Sequence, residues 1–384
     1  MLYCKPPLVS LFLILAGAGC DSAVSGAGDI LWTADAGTEA LVPTQPLVED
    51  DRVFAAYGEQ LSAFDAESGE VVWTAPVRLY AGSDAGSVLD GGDVVYLNYV
   101  DWVKAFRKED GSVVWTASFD ALTTVNRARM AQNATHLFLG RRGEVIRIDK
   151  ATGEIDLRID ISSFTPEGVP HLAANVELSE DGRTLFVPTG YYVPEAPSTS
   201  GYVLAFDAVT GALRWSYAVP QRPIPLPDGG ERPNDAGVYG LGVGDGFIVA
   251  PAGQVVYALK AATGALQWER FFERDGFDAA AEVADGTVYI GSVQERVYKL
   301  DLDTSETVWE QLASGSLTTP LVVEGGQVLF VSPFEGSLWV LNASNGEVVL
   351  RERPSGDALL APAGVGERLV VSVSSTRVYA LVRP

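Results

Sequence analysis

Short apolar segments alternate with polar and glycine-rich turns along the chain, and residues 319–350 show this pattern most clearly. They contain four runs rich in β-branched and aromatic residues, each bounded by Gly, Asn or Ser. Runs of this kind are typical of β-strands. The pattern predicts four strands, A to D, at residues 319–323, 327–331, 337–341 and 347–350.

The same pattern recurs at regular intervals. A motif of the form Ala-x-Asp-x-x-Thr-Gly-x-x-x-Trp joins strand C to strand D, where Asp can cap a turn and Gly can adopt a positive φ. Because turn formation explains these Asp residues, none of them is predicted to be catalytic. Six of the eight tryptophans fall at the last motif position. That position is occupied by Trp32, Trp73, Trp115, Leu157, Trp215, Trp268, Trp309 and Leu350, spaced by 41, 42, 42, 58, 53, 41 and 41 residues.

Repeats of this length predict a β-propeller, because a four-stranded unit of about 40–45 residues must pack against its neighbours to bury both faces. The eighth C strand lies at residues 379–382, whereas the eighth D strand lies at residues 30–33, at the other end of the chain. We therefore predict an all-β fold, an eight-bladed β-propeller of four-stranded antiparallel blades. The N-terminal strand would close the ring by joining the C-terminal blade, which removes free sheet edges.

The repeated tryptophans are predicted to hold neighbouring blades together. An indole on the outer strand can bury about 150–250 Å² against the next blade. This inter-blade role is assigned to Trp32, Trp73, Trp115, Trp215, Trp268 and Trp309.

The N-terminus has the features of an export signal. Lys5 precedes an apolar run at residues 8–16. This run is too short to span a bilayer as a helix, which needs about 20 residues. The sequence Gly17-Ala18-Gly19-Cys20 is similar to the lipobox of bacterial lipoproteins, although Leu or Val is usual in place of Gly17. The resemblance implies that Cys20 is lipidated.

These features divide the chain into a signal peptide at residues 1–19, a short tether at 20–29 and a propeller at 30–384. The expected location is the bacterial cell envelope, with a lipid anchor at Cys20 in the inner or outer membrane or at the cell surface. An ordinary secretory signal is the alternative.

Composition excludes several kinds of chemistry. The 384 residues include 27 Lys and Arg against 50 Asp and Glu, which gives a net charge of −23. Such acidity argues against binding to nucleic acid or adsorption on anionic membranes. Two histidines and two cysteines cannot form a multi-histidine metal site, a Cys₄ zinc site or an iron–sulfur cluster. His136 and His171 are isolated and predict neither a metal site nor a catalytic triad.

The C-to-D motif, together with the Thr-x-Pro-x-Val and Gly-Gly-x-Val pattern at residues 318–331, resembles the PQQ-like repeat. Quinoprotein alcohol dehydrogenases carry this repeat, and so do non-catalytic lipoprotein propellers of the BamB type in outer-membrane protein assembly. The resemblance covers residues 30–384 and implies the propeller fold. The shared residues hold blades together, so the repeat by itself does not define a function.

Particular residues distinguish the quinoprotein branch of this family from the BamB-type branch. The resemblance to quinoproteins would imply a vicinal disulfide and a calcium or lanthanide site, but the sequence has no Cys-Cys pair and no evident metal-ligand set. We therefore expect no catalytic residue, no cofactor and no metal. The leading hypothesis is a monomeric, non-enzymatic scaffold for protein partners in the envelope, with a BamB-like role as its specific form. A quinoprotein-type oxidoreductase and a small-ligand or glycan sensor are the alternatives.

The two long spacings indicate where binding could occur. They contain insertions at residues 162–170, 193–200 and 220–235, all in D-to-A or B-to-C connections and hence on one face of the propeller. Enlarged loops on a rigid scaffold are a common place for binding, although neutral variation is the alternative. Residues 220–227 are proline-rich and predicted to be stiff and extended. The candidate interaction residues are Tyr191, Tyr192, Arg222, Arg232 and Tyr239 around these loops, with Trp102 in the B-to-C turn of blade 2 and Arg127 and Arg129 near the central channel.

Overall fold

A computed structural model gives the architecture. It describes residues 28–35, 44–57, 59–77, 88–99, 101–120, 129–164, 172–173, 175–191, 200–225, 230–234, 236–332, 335–353, 359, 364–374 and 377–384. Within these residues the protein has 35 β-strands and one short 3₁₀ helix, η1.

The strands form eight blades, and the first strand of the chain belongs to the last blade. Strand β1 is Ile30–Asp35. Blade 1 consists of β2 (Leu47–Val48), β3 (Arg52–Tyr57), β4 (Gln60–Asp65) and β5 (Val71–Pro76). Blade 2 consists of β6 (Val88–Asp90), β7 (Val94–Tyr99), β8 (Trp102–Arg107) and β9 (Val113–Ser118). Blade 3 consists of β10 (Met130–Gln132), β11 (His136–Arg141), β12 (Glu144–Asp149) and β13 (Ile155–Asp160), followed by η1 (Ile161–Phe164).

The next two blades flank an additional hairpin. Blade 4 consists of β14 (Leu172–Ala173), β15 (Glu177–Leu178), β16 (Thr184–Tyr191), β17 (Ser200–Asp207) and β18 (Leu213–Ala218). The hairpin consists of β19 (Pro223–Pro225) and β20 (Glu231–Pro233). Blade 5 consists of β21 (Gly242–Gly244), β22 (Phe247–Ala252), β23 (Val255–Lys260) and β24 (Leu266–Phe271).

Three blades complete the ring. Blade 6 consists of β25 (Glu282–Ala284), β26 (Thr287–Gly291), β27 (Arg296–Asp301) and β28 (Thr307–Leu312). Blade 7 consists of β29 (Val322–Glu324), β30 (Gln327–Ser332), β31 (Ser337–Asn342) and β32 (Val348–Glu352). Blade 8 consists of β33 (Gly364–Val365), β34 (Leu369–Val373), β35 (Arg377–Val382) and β1.

Each blade is an antiparallel sheet, and apart from β1 in blade 8 its strands follow one another in space as they do in sequence. Blade 4 is the variation on this plan, because its inner edge is divided between β14 and β15, which both pair with β16. The A strands of neighbouring blades contact one another and surround the central channel. Eight buried apolar clusters fill the blades and the spaces between them. The predicted eight-bladed fold is confirmed.

The ring is closed by pairing between the first and last strands of the chain. Trp32 of β1 lies opposite Ala380 of β35. The backbone nitrogen of Gly28 donates to the carbonyl of Val382 at 2.9 Å, and the nitrogen of Val382 donates to the carbonyl of Asp29 at 2.9 Å. The C-to-D turn of blade 8 is therefore assembled from the two ends of the described chain, and closure by the N-terminal strand is confirmed.

An intact C-to-D turn has the same two backbone hydrogen bonds. In blade 1, Gly69 donates to Asp65 and Asp65 donates to the carbonyl of Glu70, both at 2.9 Å. Asp65 Oδ1 also accepts from the backbone nitrogen of Ser68 at 2.8 Å, and this bond lowers the pKa of the Asp65 carboxyl. Gly69 has a φ of 73°, which glycine adopts without steric cost. The repeated Asp and Gly residues thus form the turn.

Each of the six repeat tryptophans reaches into the C-to-D turn of the following blade. Its indole nitrogen donates to a backbone carbonyl there, and the ring packs between the two blades. The bonds are Trp32 to Ala66 (2.9 Å), Trp73 to Lys108 (2.7 Å), Trp115 to Lys150 (2.9 Å), Trp215 to Ala261 (3.1 Å), Trp268 to Leu302 (2.6 Å) and Trp309 to Ala343 (3.1 Å).

One predicted strand differs from the observed one for a clear reason. The A strand of blade 7 was expected at residues 319–323, but β29 begins only at Val322. Pro320 lacks a backbone N–H for a sheet ladder, so pairing with β30 begins beyond it. Leu321 is nevertheless buried in the core between the blades.

Candidate functional site

The insertions lie on one face, which we call the loop face because it carries the D-to-A connections and B-to-C turns. Helix η1 follows β13, residues 192–199 join β16 to β17, and the hairpin follows β18. Residues 165–171 and 192–199 lie outside the described residues. All three insertions therefore border blade 4 and its junction with blade 5.

The hairpin is anchored to blade 5 by a buried side chain. Asn234 Nδ2 donates to the carbonyl of Ala252 at 3.0 Å, and Asn234 Oδ1 accepts from the backbone nitrogen of Gln254 at 3.1 Å. The backbone nitrogen of Asn234 donates to the carbonyl of Arg222 at 2.8 Å, which joins the two ends of the hairpin. Ile224, in the first strand of the hairpin, is buried. The described strands of this projection are thus fixed to blade 5, and the hairpin itself was not predicted from the sequence.

Arg222 lies at the outer side of this projection. Its guanidinium forms an ion pair with Glu269 of β24, while 46% of its side chain stays exposed. It also interacts electrostatically with Tyr257, whose ring lies 6.0 Å from that of Tyr217. Burial raises the pKa of Tyr217 to about 12, and the neighbouring Tyr257 adds to the shift. Arg222 therefore combines an ordered position with an accessible charge.

Tyr239 lies on the inner side, next to blade 4. A Cβ atom on Gly190 would lie 2.6 Å from the Tyr239 ring, so the ring rests directly on this glycine. The carbonyl of Tyr239 accepts a hydrogen bond from Asn175 Nδ2 at 3.1 Å. Asn175 Oδ1 in turn accepts from the backbone nitrogen of Arg129 at 2.8 Å. Asn175 thus joins Tyr239 to Arg129, two residues selected separately from the sequence.

Arg129 belongs to a group of charged residues in the central channel, which we call the channel cluster: Arg129, Glu177 and Glu282. They come from the inner edges of blades 3, 4 and 6. The Arg129 guanidinium donates to Gln45 Oε1, next to blade 1. Burial raises the pKa of Glu177 to about 7, with Arg129 opposing the shift and Glu282 adding to it. Burial also raises the pKa of Glu282, again opposed by Arg129.

The channel cluster borders a cavity of about 320 Å³. Arg129 and Glu177 line it, together with A-strand residues such as Val48, Leu89 and Val365. The sequence pattern indicated Arg129 as a candidate but not Glu177 or Glu282. Each of these two residues is a carboxylate within an otherwise apolar inner strand, and that pattern is the sequence signal that could have identified them.

The remaining candidate residues are dispersed. Trp102 is the first residue of β8 rather than part of the turn, and its side chain is 7% exposed. It packs 5.7 Å from the Tyr99 ring and beneath Lys104 Nζ, so it offers little contact surface. Tyr191 ends β16 and Arg232 lies in β20, but their side chains are not described. Tyr192, Arg127, His171 and Cys20 lie outside the described residues.

His136 has an ordinary polar environment. Its Nε2 lies 3.1 Å from Asp156 Oδ2, and its Nδ1 lies 2.7 Å from Thr135 Oγ1. Among the described residues, no group of three or more His, Cys, Asp or Glu side chains could hold a metal ion. No described helix is long and apolar enough to cross a membrane.

The repeat and ring define the class of protein as an eight-bladed propeller built from PQQ-like repeats. The family model described as outer membrane protein assembly factor BamB matches residues 22–101, 100–185, 167–276 and 252–383. The chain belongs to this family.

Individual relatives agree with this assignment. The outer membrane protein assembly factor BamB of Moranella endobia (strain PCIT) is 24% identical over 357 residues, which cover 88% of this chain and 85% of that protein. The crystal structure of BamB from Moraxella catarrhalis has a TM-score of 0.68 at 18% identity, covering 93% of this chain and all of the other. A europium-containing methanol dehydrogenase has a TM-score of 0.69 at 12% identity, covering 92% and 93%. At these identities the structural matches show the fold alone.

The residues of the channel do not fit PQQ, the cofactor that a resemblance to quinoproteins would imply. PQQ carries three carboxylates and would require convergent cationic groups. Among the described channel residues, Glu177 and Glu282 stand beside the single guanidinium of Arg129. Like charges in a site of low dielectric repel strongly, so this cluster disfavours a tricarboxylate.

Proposed function

We propose that this chain is a non-enzymatic, lipid-anchored envelope protein that acts as a scaffold for protein–protein contacts in outer-membrane protein assembly. Membership of the BamB family over residues 22–383 carries this proposal. The scaffold is rigid, acidic and closed, and its additional length is concentrated on the loop face around blades 4 and 5.

The proposed contact surface is centred on the anchored hairpin. Arg222 is ordered by Glu269 yet remains half exposed, and Arg is frequent among residues that dominate interface affinity. Tyr239 borders the same junction from the channel side. A fixed projection loses little conformational entropy on binding, which favours a specific protein contact.

Cross-linking in intact envelopes, followed by mass spectrometry, tests the partner and the surface together. We expect cross-links between the loop face and a component of the outer-membrane protein assembly machinery. The double variant Arg222→Ala and Tyr239→Ala should reduce these cross-links at least tenfold. Arg214→Ala is the matched control, because Arg214 is also a partly exposed arginine paired with a carboxylate, Asp207, at 2.7 Å. Equal capture by the double variant and the control would exclude this surface.

Two further measurements test the anchor and the absence of catalysis. Cys20→Ala should abolish incorporation of radiolabelled palmitate and release the protein from membranes. Reconstitution with PQQ and Ca²⁺ should give no dye-linked oxidation of alcohols or sugars. Turnover in that assay would favour the oxidoreductase alternative instead.

A further inference from the structure

Each blade ends on its outer side in a D strand, and the outer edge of such a strand can pair with another chain. Proteins ordinarily block edges of this kind with charged residues or prolines. Among the D strands, all of which lie within the described residues, β9 of blade 2 alone has no such residue. The other seven carry at least one each, such as Asp35 in β1, Pro76 in β5, Arg158 in β13, Arg214 in β18, Glu269 in β24, Glu310 in β28 and Arg351 in β32.

The edge formed by β9 is uncharged and lies at the surface. Its sequence is Val-Val-Trp-Thr-Ala-Ser. Val113 and Val114 are 51% and 41% exposed, and Thr116 and Ser118 are exposed as well. Within the described part of the chain, β9 pairs with β8 and with no other strand. An exposed edge that is rich in β-branched residues and carries no charge is a template for a further strand.

The second half of β9 has the regular geometry that strand pairing needs. Its β-bulge precedes Trp115. The backbone nitrogen of Phe119, just beyond the strand, donates inward to the carbonyl of Asp101 at 2.9 Å. Because backbone groups alternate in direction along an antiparallel strand, the N–H and C=O groups of Thr116 and Ser118 point outward. The edge therefore presents two donors and two acceptors in the spacing of a sheet.

Three kinds of occupant can be compared for this edge. A bilayer core offers no hydrogen bonds to backbone N–H and C=O groups. A second copy of this chain would bring a net charge of −23 toward an equal charge, which opposes association. An extended segment of another protein can pair with the edge without this repulsion if the segment is neutral or basic. The charge of the chain and the backbone of β9 thus favour a strand from a different protein.

The two faces of β9 define the side chains of that strand. Trp115 and Ala117 are buried on the face toward blade 3, whereas Thr116 and Ser118 are exposed on the other face. A strand added beside β9 would place apolar residues on the first face and polar residues on the second. We propose that β9 binds an extended, neutral or basic segment of a partner protein, with alternating apolar and polar residues, as a fifth strand of blade 2.

This site goes beyond the contact surface on the loop face, because it uses the outer rim of blade 2 and not the hairpin between blades 4 and 5. The full chain, purified in detergent, is titrated with the fluorescein-labelled peptide Lys-Thr-Val-Thr-Val-Lys, and fluorescence anisotropy measures binding. The threonine N–H groups would point toward β9 and the valine N–H groups away from it. N-methylation of both threonines should weaken binding at least tenfold. N-methylation of both valines is the matched control and should leave binding unchanged.

A substitution then assigns the binding to β9. Ser118→Pro removes an outward N–H group, and it copies the residue that blade 1 has at the same position, Pro76, which follows its tryptophan at the same distance. The fold therefore accommodates proline there, and peptide binding should weaken at least tenfold. Ser118→Ala keeps the N–H group and should bind the peptide as the unsubstituted chain does. Arg222→Ala, in the hairpin, should also leave peptide binding unchanged. Thermal unfolding verifies that each variant is folded.

Four results would overturn the proposal. The first is that the peptide does not bind. The second is that the form N-methylated at threonine binds as tightly as the parent peptide, which would mean that the contact is not strand pairing. The third is that Ser118→Pro binds the peptide as tightly as Ser118→Ala does. The fourth is a dimer in analytical ultracentrifugation that Ser118→Pro abolishes, which would identify a second copy as the occupant. In all four cases the cross-linking experiment on the loop face keeps its meaning.

Discussion

The indole nitrogen of Trp73 donates a 2.7 Å hydrogen bond to the backbone carbonyl of Lys108, in the C-to-D turn of the neighbouring blade. Gly111 of the same turn has a φ of 72°, and a Cβ atom there would lie 2.5 Å from the indole ring. The ring is thus held between a hydrogen-bond acceptor on one side and a surface without a side chain on the other. This relationship explains why Trp and Gly recur together in the repeat.

Gly111→Ala should destabilise the protein by about 2–4 kcal/mol, because it combines backbone strain with overpacking against Trp73. Gly92→Ala is the matched control: its φ is 81°, but no atom lies within 4 Å of the new Cβ position. Strain alone should cost about 1–2 kcal/mol there. Urea unfolding measures both values, and equal losses would show that the contact with the indole contributes nothing.

Ser305→Gly should stabilise the protein by about 0.5–1 kcal/mol. Ser305 occupies the position that glycine holds in the other intact C-to-D turns, with a φ of 63°. Ser305→Ala retains the strain and serves as the control, so it should give no gain. Thermal unfolding separates the two variants, and the same melting temperature for both would contradict the explanation.

Deletion of residues 30–33 should lower the melting temperature by many degrees. The deletion removes Trp32, which stacks 5.6 Å from Phe64 of blade 1 and bonds to Ala66. Loss of a buried Trp side chain alone costs about 3–5 kcal/mol, and the deletion also exposes the edge of β35. Deletion of residues 22–25, in the predicted tether, is the control. If both deletions had the same small effect, ring closure would not contribute to stability.

Glu177→Gln should increase stability at pH 8 and leave it nearly unchanged at pH 4. The folded-state pKa of about 7 lies above the ordinary value of 4.5, so the fold favours the protonated form. Stability from this group is complete below about pH 4.5 and is lost as pH rises through about 7. The amide avoids that loss, which is worth about 1–3 kcal/mol. Unfolding measured across this pH range checks the sign, with Glu310→Gln as the unaffected control.

The regular spacing of the repeated motif was sufficient to predict the eight-bladed architecture. The spacing of the tryptophans predicts the number of blades. The two halves of one motif, at Trp32 and Tyr379, lie at opposite ends of the chain and predict that these ends pair to close the ring. Both follow from local chemistry that repeats, since every blade needs the same turn and the same packing surface. The start of β29 was predicted too early, because the apolar run includes Pro320, which cannot donate a hydrogen bond to the sheet.

The candidate site was less predictable because it depends on contacts between distant segments. Arg129 meets Gln45, and interacts electrostatically with Glu177 and Glu282, only in the assembled ring. The hairpin was missed for a different reason. Pro223 and Pro233 lie opposite each other in its two strands, and such a short pair tolerates proline where no ladder bond is needed.

If Cys20 is lipidated as proposed, the turn assembled from Gly28 and Val382 would also determine how the propeller is oriented on a membrane. C-to-D turns lie on the face opposite the loop face, so the chain leads toward its N-terminus from that opposite face. With the anchor proposed at Cys20, the seven residues between Cys20 and Gly28 allow a reach of at most about 27 Å. The proposed anchor would therefore hold the face with the C-to-D turns near the bilayer. The hairpin with Arg222 would then be directed away from the bilayer, where a large partner can approach it.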